Sequence, residues 1–226
     1  MKNRCVLTAL VLMGFALLRA PAAVLYVDLN STNPVPPYAG WDTAATNIQD
    51  AVDAAAPGDL VTVTNGVYQT GGKPFNEGTM TNRVVVDKPV TVQSVNGQSV
   101  TLIDGTQSGR CVYLTNGAVI SGFTLTNGTA GGGNGGGAWC ASHDEQVLNC
   151  LVTKGSAWQG GGVFSGTVSN CTFSSNSATD SGGGAASSWL FMCTFNGNTA
   201  GFSGWGGGAY YSLVNSCTFR RPRCTA

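Results

Sequence analysis

Charged side chains are scarce. Eleven Lys and Arg and eleven Asp and Glu are spread over 226 residues, 10% of the chain, and the formal net charge is zero. With no basic stripe to neutralise phosphates, nucleic acid is excluded as a partner. There is a single histidine, His143, and no Cys-x-x-Cys pair, so the common zinc-binding spacings are missing. Leucines are too few per repeat for a leucine-rich solenoid, and after the first twenty residues no apolar run approaches the length of a membrane span. The length suits one domain with a real core and hardly two.

Glycine fills the space that charge leaves. It occurs 33 times, about twice ordinary usage. Hydrophobic residues make up 42% of the chain, too many for a disordered segment. The combination describes short strands joined by tight turns. At the N-terminus, Lys2 and Arg4 precede an apolar stretch from Cys5 to Leu18, and Ala20-Pro21-Ala22 offers small residues for cleavage. Residues 1–22 read as an export signal, which places the mature chain outside the cytoplasm, extracellular or at the cell surface, with the periplasm the other compartment.

A repeat organises the rest. Cys150, Cys171, Cys193 and Cys217 are spaced by 21, 22 and 24 residues, and Phe123 takes the same slot one copy earlier. Two residues on, the chain carries Leu125, Val152, Phe173, Phe195 and Phe219. Three residues before, it carries Ile120, Val147, Val168, Leu190 and Val214. Five after the slot come Gly128, Gly155, Asn176 and Asn198, residue types that tolerate a left-handed backbone, so a sharp bend is expected there. Glycine triplets follow at 135–137, 160–162, 182–184 and 206–208. A period of 20 to 25 residues indicates a solenoid in which no copy can bury its own face alone. Short β-branched and aromatic strands make it a parallel β-helix. Upstream, Ile48, Ala51, Val52 and Ala55 fall at helical spacing before Pro57-Gly58, predicting a short helix that plugs the open end of the stack. Leu60–Val63 and residues 83–86, 90–92 and 100–103 are predicted as the first rungs. The organisation is therefore a signal over 1–22, an N-terminal segment with its capping helix over 23–58, and coils over 59–219. An off-pattern tail over 220–226, "RRPRCTA", reads as a truncated end.

The alternation of Gly-Gly-Gly-Ala with Phe173-x-x-Asn176 and Phe195-x-x-Asn198 resembles the repeats of bacterial polymorphic outer-membrane proteins. More broadly, with "LYVDLN", "TNIQDAVDAAAPGDLVTVTNGVY" and "ISGFTLTNG" upstream, the chain is similar to the right-handed parallel β-helix superfamily that includes pectate lyases. That resemblance spans residues 25–219. It implies an all-β, right-handed parallel β-helix with a short N-terminal capping helix. It does not name a chemistry, because many functions share the scaffold.

Candidate chemistry is thin. The recurrent cysteines read as an internal thiol ladder, with disulfides and metal binding as the alternatives. Parallel in-register neighbours do not bring Cβ atoms to disulfide distance, and a straight ladder does not make a tetrahedron. The resemblance implies Asp-Asp, Gly-His-Gly and Arg-x-Lys sets for the hydrolases, none of which occurs here. For the lyases it implies an acid cluster holding calcium beside an Arg or Lys base. Arg83, Asp87, Asp104 and Arg110 are the residues that could imitate one, and calcium belongs to that reading alone; otherwise no cofactor and no metal site is expected. His143, Asp144 and Glu145 read as a polar bend. Trp139, Phe164, Ala186 and Tyr210 follow the glycine triplets in one slot that strand alternation turns outward if Ala138, Val163, Ala185 and Ala209 point inward, the alternative being the reverse phase with these rings in the core. Trp158 and Trp205 flank two of the triplets. Trp139, Phe164 and Tyr210 are the candidate ligand-binding residues, suited to sugar rings or a partner's apolar surface. The leading expectation is an exported, non-catalytic contact or adhesion module meeting a polysaccharide or cell-surface partner, with no membrane span in the mature chain. A polysaccharide lyase or glycoside hydrolase is the second. Self-association through an open C-terminal edge is the third.

Overall fold

The computed structural model describes residues 21–74, 80–201 and 204–225. The export signal expected over 1–22 lies almost wholly outside them. Because a bend arrives every few residues, the strands are only two to six residues long. They stack coil upon coil into four sheets. The first holds eight strands, running from Val24–Val27 through Leu60–Val63 and Thr91–Ser94 to Leu213–Asn215. The second holds seven, from Gly66–Tyr68 to Thr218–Arg220. The third also holds seven, from Lys73–Pro74 and Thr81–Val86 to Ala209–Tyr210. A fourth of four short strands lies between the second and third. Pairing is parallel throughout except where Lys73–Pro74 meets Thr81–Val86. This is a right-handed parallel β-helix.

Register places like residues on like, which is why each column of the repeat has one character. In the first sheet Leu25, Val61, Val92, Ile120, Val147, Val168, Leu190 and Val214 are successive partners. In the second, Ile103, Leu125, Val152, Phe173, Phe195 and Phe219 follow one another inward. The Phe173 and Phe195 rings stack at 4.5 Å with 3° between planes, and Phe195 and Phe219 at 4.6 Å with 10°. Burying each of the inner rings contributes roughly 2–3 kcal/mol. Phe123, Cys150, Cys171 and Cys193 line the inside of the corner between the first and second sheets, all buried. The column thus forms the expected thiol ladder. Each of Cys150, Cys171, Cys193 and Cys217 directs its Sγ–H at the carbonyl two residues before it, at 3.1–3.3 Å.

The helix, α1 (Ile48–Ala54), closes the N-terminal end. Asn47 caps it by accepting the Asp50 N–H at 2.9 Å. Ile48, Ala51 and Val52 are buried against the first coils. Gln49 performs the plug chemistry. Its side-chain amide donates to the Val85 carbonyl at 3.1 Å, and its oxygen accepts the Val85 N–H at 2.7 Å. One side chain therefore satisfies the backbone groups that an edge strand would otherwise leave open.

The bends sit one residue earlier than the sequence pattern suggests. Left-handed φ values occur just before the corner slot, at Gly122, Asn149, Asn170, Met192 and Ser216, and four residues after it, at Asn127, Lys154, Ser175, Gly197 and Arg221. The expected bend residues have ordinary φ and a different task. A Cβ on Gly128 or Gly155 would collide with the carbonyl of Gly136 or Gly161 on the facing side of the coil, so glycine is required there by close approach. Asn176 and Asn198 point inward instead, 1% and 0% exposed. Each uses its amide to hold the backbone of the coil before it. Asn198 Oδ1 accepts from the Asn176 N–H at 3.0 Å and from its Nδ2 at 2.9 Å, while Asn198 Nδ2 donates to the Phe173 carbonyl at 3.0 Å. The stack also continues past Phe219: Arg223–Cys224 pairs with Thr199–Ala200.

Candidate functional site

The outer face of the third sheet carries the expected aromatic column. Val85, Tyr113, Trp139, Phe164, Ala186 and Tyr210 are successive register partners. Their inward neighbours Val112, Ala138, Val163 and Ala185 are fully buried, so alternation does turn the aromatic slot outward. Trp139, Phe164 and Tyr210 are half-buried. Tyr113, which the repeat count began too late to include, extends the column toward the N-terminus. Its ring stacks on Trp139 at 4.5 Å and 17°. Stacked along the solenoid axis, these two rings use their faces on each other. Ala186 interrupts the column between Phe164 and Tyr210 and is buried.

Beneath Tyr113 lies Arg110, with its guanidinium 5.8 Å from the ring centre. Arg110 is buried and fully engaged. It donates to Asn82 Oδ1 at 2.6 Å, to the Gly135 carbonyl at 2.7 Å and to the Asn134 carbonyl at 2.7 Å. Burial lowers its pKa to about 10, an effect that Tyr113, Cys111 and Cys140 oppose. The side chain fastens the first glycine loop to the third sheet.

The residues that could imitate a lyase site are not brought to one point. Arg83 donates to the Asp104 carbonyl, the Gly71 carbonyl and Thr106 Oγ1 at 3.1, 2.6 and 3.1 Å. The Asp104 carboxylate turns to Asn127 Nδ2 and the Thr106 N–H. Asp87 follows the far end of the Thr81–Val86 strand, four residues beyond Arg83 and so roughly 13 Å along it. Arg110 faces its own three acceptors. Among the described residues, no three His, Cys, Asp or Glu side chains converge as metal ligands.

The polar bend at 142–145 is more structural than its composition suggests. Glu145 is 2% exposed. It accepts from the Gly117 N–H at 3.1 Å, the Ser142 N–H at 2.6 Å and Ser142 Oγ at 3.0 Å. His143 reaches across a whole coil. Its Nε2 lies 3.0 Å from the Ser187 carbonyl, and its ring stacks on Trp189 at 4.5 Å and 16°. Nothing in the local sequence announces that contact, because its partners are 44 and 46 residues away.

Two concavities lie among the described residues. A shallow groove of about 510 Å³ on the second sheet is lined by Gln98, Ser99, Leu102, Thr124, Leu151 and Thr172. Another of about 260 Å³ opens at the last coil beside Gly208, Phe219 and Arg223. No described helix is long and apolar enough to cross a membrane.

No family model matches the sequence, and no curated protein does either. Solved structures do resemble the fold. One is the pectin methylesterase from Aspergillus niger, at a TM-score of 0.51 and 15% identity, covering 92% of this chain and 69% of that one. Another is a rhamnogalacturonan lyase, at a TM-score of 0.54 and 10% identity, covering 91% of this chain and 63% of that one. The likeness establishes the fold alone, a right-handed parallel β-helix.

Proposed function

We propose that this chain is an exported β-helix module that holds a polysaccharide or cell-surface partner without cleaving it. The observation that carries the reading is the outward, half-buried aromatic column of Trp139, Phe164 and Tyr210, backed by the buried Tyr113, on one side of a scaffold nearly free of charge. Aromatic rings offer large contact area with little rotamer entropy to lose, and such columns suit sugar rings. The export signal supports a partner outside the cytoplasm. No cofactor is needed for this role. Association of two chains through the edge of the last coil, where Val214 and Phe219 are half exposed, is compatible with it.

A second reading, a polysaccharide lyase or glycoside hydrolase, is favoured by the two structural neighbours, whose names describe a pectin methylesterase and a rhamnogalacturonan lyase. It would place Arg83 near the chemistry, with calcium as its cofactor, and must gather carboxylates that lie apart. The test is incubation of the full chain with immobilised and soluble pectin, alginate and chondroitin, with and without calcium. Retention on a polysaccharide without released product, weakened in Trp139→Ala, supports the contact module. Turnover that disappears in Arg83→Ala overturns it in favour of the enzyme.

A further inference from the structure

The corner between the first and second sheets is built the same way on four successive coils. Two residues turn it each time: Asn149-Cys150, Asn170-Cys171, Met192-Cys193 and Ser216-Cys217. The first of each pair is left-handed, at φ 53°, 53°, 53° and 54°. The flanking strand residues are register partners. Leu148, Ser169, Phe191 and Asn215 precede the corner, and Leu151, Thr172, Thr194 and Thr218 follow it. All four sulfurs also point at the same carbonyl of their own coil, so neighbouring sulfurs are separated by one coil rise. Phe173, Phe195 and Phe219, two residues after the last three cysteines, measure that rise at 4.5 and 4.6 Å.

That spacing suits a particular coordination. Two metal–thiolate bonds of about 2.3 Å each, placed in line, span about 4.6 Å. Zinc would need four converging ligands, and among the described residues not even three converge. A linear S–M–S bridge needs only two sulfurs one coil apart. Backbone donors are already aimed at the second sulfur of each pair: the Cys150 N–H donates to Cys171 Sγ at 3.3 Å, and the Cys193 N–H to Cys217 Sγ at 3.3 Å. Such hydrogen bonds stabilise a ligating thiolate. Losing the S–H protons strands no acceptor. The carbonyls of Leu148, Ser169, Phe191 and Asn215 each accept a backbone N–H as well, from Gly122, Asn149, Asn170 and Met192, all at 3.0 Å. Phe123 closes one end of the column, while Cys217 at the other is half-buried and gives ions a way in.

We propose that the ladder binds soft, two-coordinate monovalent cations, Cu(I) or Ag(I), one between Cys193 and Cys217 and one between Cys150 and Cys171. Each ion forms two M–S bonds as two S–H protons leave for solvent, and no electron is transferred. The complex carries one negative charge over two sulfurs, which the Cys150 and Cys193 N–H groups offset. Cys111, Cys140 and Cys224 have no cysteine as a register partner and offer single sulfurs only. The site is separate from the aromatic column and does not depend on what binds there.

The test loads the reduced full chain with Ag(I), or with Cu(I) under nitrogen, and dialyses it against a monothiol, which strips ions held by one sulfur. The parent and Cys224→Ser should each retain two ions, Cys217→Ser one, and the double variant Cys171→Ser with Cys217→Ser none. Zn(II) and Ca(II) should not be retained. X-ray absorption of the loaded parent, which needs no variant to fold, should show two sulfurs per ion and no third ligand. Complete stripping by the monothiol, retention of two ions by Cys217→Ser, or three or more ligands per ion would overturn the proposal.

Discussion

At the scale of single residues, the asparagines explain how a charge-poor chain keeps its bends dry. A bend inside a stack cannot reach water, so its N–H and C=O groups need partners from the protein. Asn176 and Asn198 supply them, each serving its neighbour as well as itself. Replacing Asn198 with Ala strands the buried Asn176 N–H and Phe173 carbonyl and leaves the Asn176 side-chain amide only the Val152 carbonyl. Losing such a network costs about 2–4 kcal/mol. Urea unfolding of Asn198→Ala should show that loss as a lower midpoint at unchanged slope. Asn196→Ala, an exposed neighbour on the same coil, should differ from the parent by less than about 0.5 kcal/mol. Equal effects from the two variants would mean that the ladder is not what secures the corner.

At the scale of strands and columns, legibility followed periodicity. The apolar slots at Val147, Val168 and Leu190 and the slot of Cys150, Cys171 and Cys193 were readable because register in a solenoid repeats a side chain's surroundings. The rungs at Leu60–Val63 and Thr101–Asp104 were readable from β-branched runs. The bend position was misplaced because residue type alone does not separate two reasons for glycine or asparagine. Left-handed φ governs Asn149 and Asn170, while close approach governs Gly128 and Gly155, and an inward amide governs Asn176. Contacts that cross coils, such as His143 on Trp189 or Gln49 on Val85, leave no local trace. The aromatic column was visible, but the pairing of Tyr113 with Trp139 was not, since it depends on the solenoid rise.

The buried thiols give that scale its own test. Burial pushes Cys111 and Cys193 up to about 12 from an ordinary 9.0. An unfolded chain releases those protons near pH 9 while the folded chain retains them. The stabilisation is therefore complete below pH 9 and is lost as the pH rises toward 12. Urea midpoints measured from pH 8 to 11 should hold steady and then fall. The fall should be shallower in Cys111→Ala combined with Cys193→Ala, even though that variant starts less stable. A slope indifferent to the two substitutions would place the thiols in water.

At the scale of the whole molecule, the account divides the side chains by direction: aliphatic, thiol and phenylalanine columns fill the tube, and tryptophans gather on its outside. Trp41, Trp158, Trp189 and Trp205 are all exposed, and Trp139 is half-buried. A fold of this size with an ordinary core would instead hide most of its tryptophans, because large rings dominate interior packing. Acrylamide quenching of tryptophan fluorescence in the native and urea-unfolded chain measures the difference directly. The account predicts a native emission maximum close to that of the unfolded chain and quenching constants within about a factor of two. A blue-shifted native emission, protected from acrylamide severalfold over the unfolded chain, would show the rings inside and contradict it.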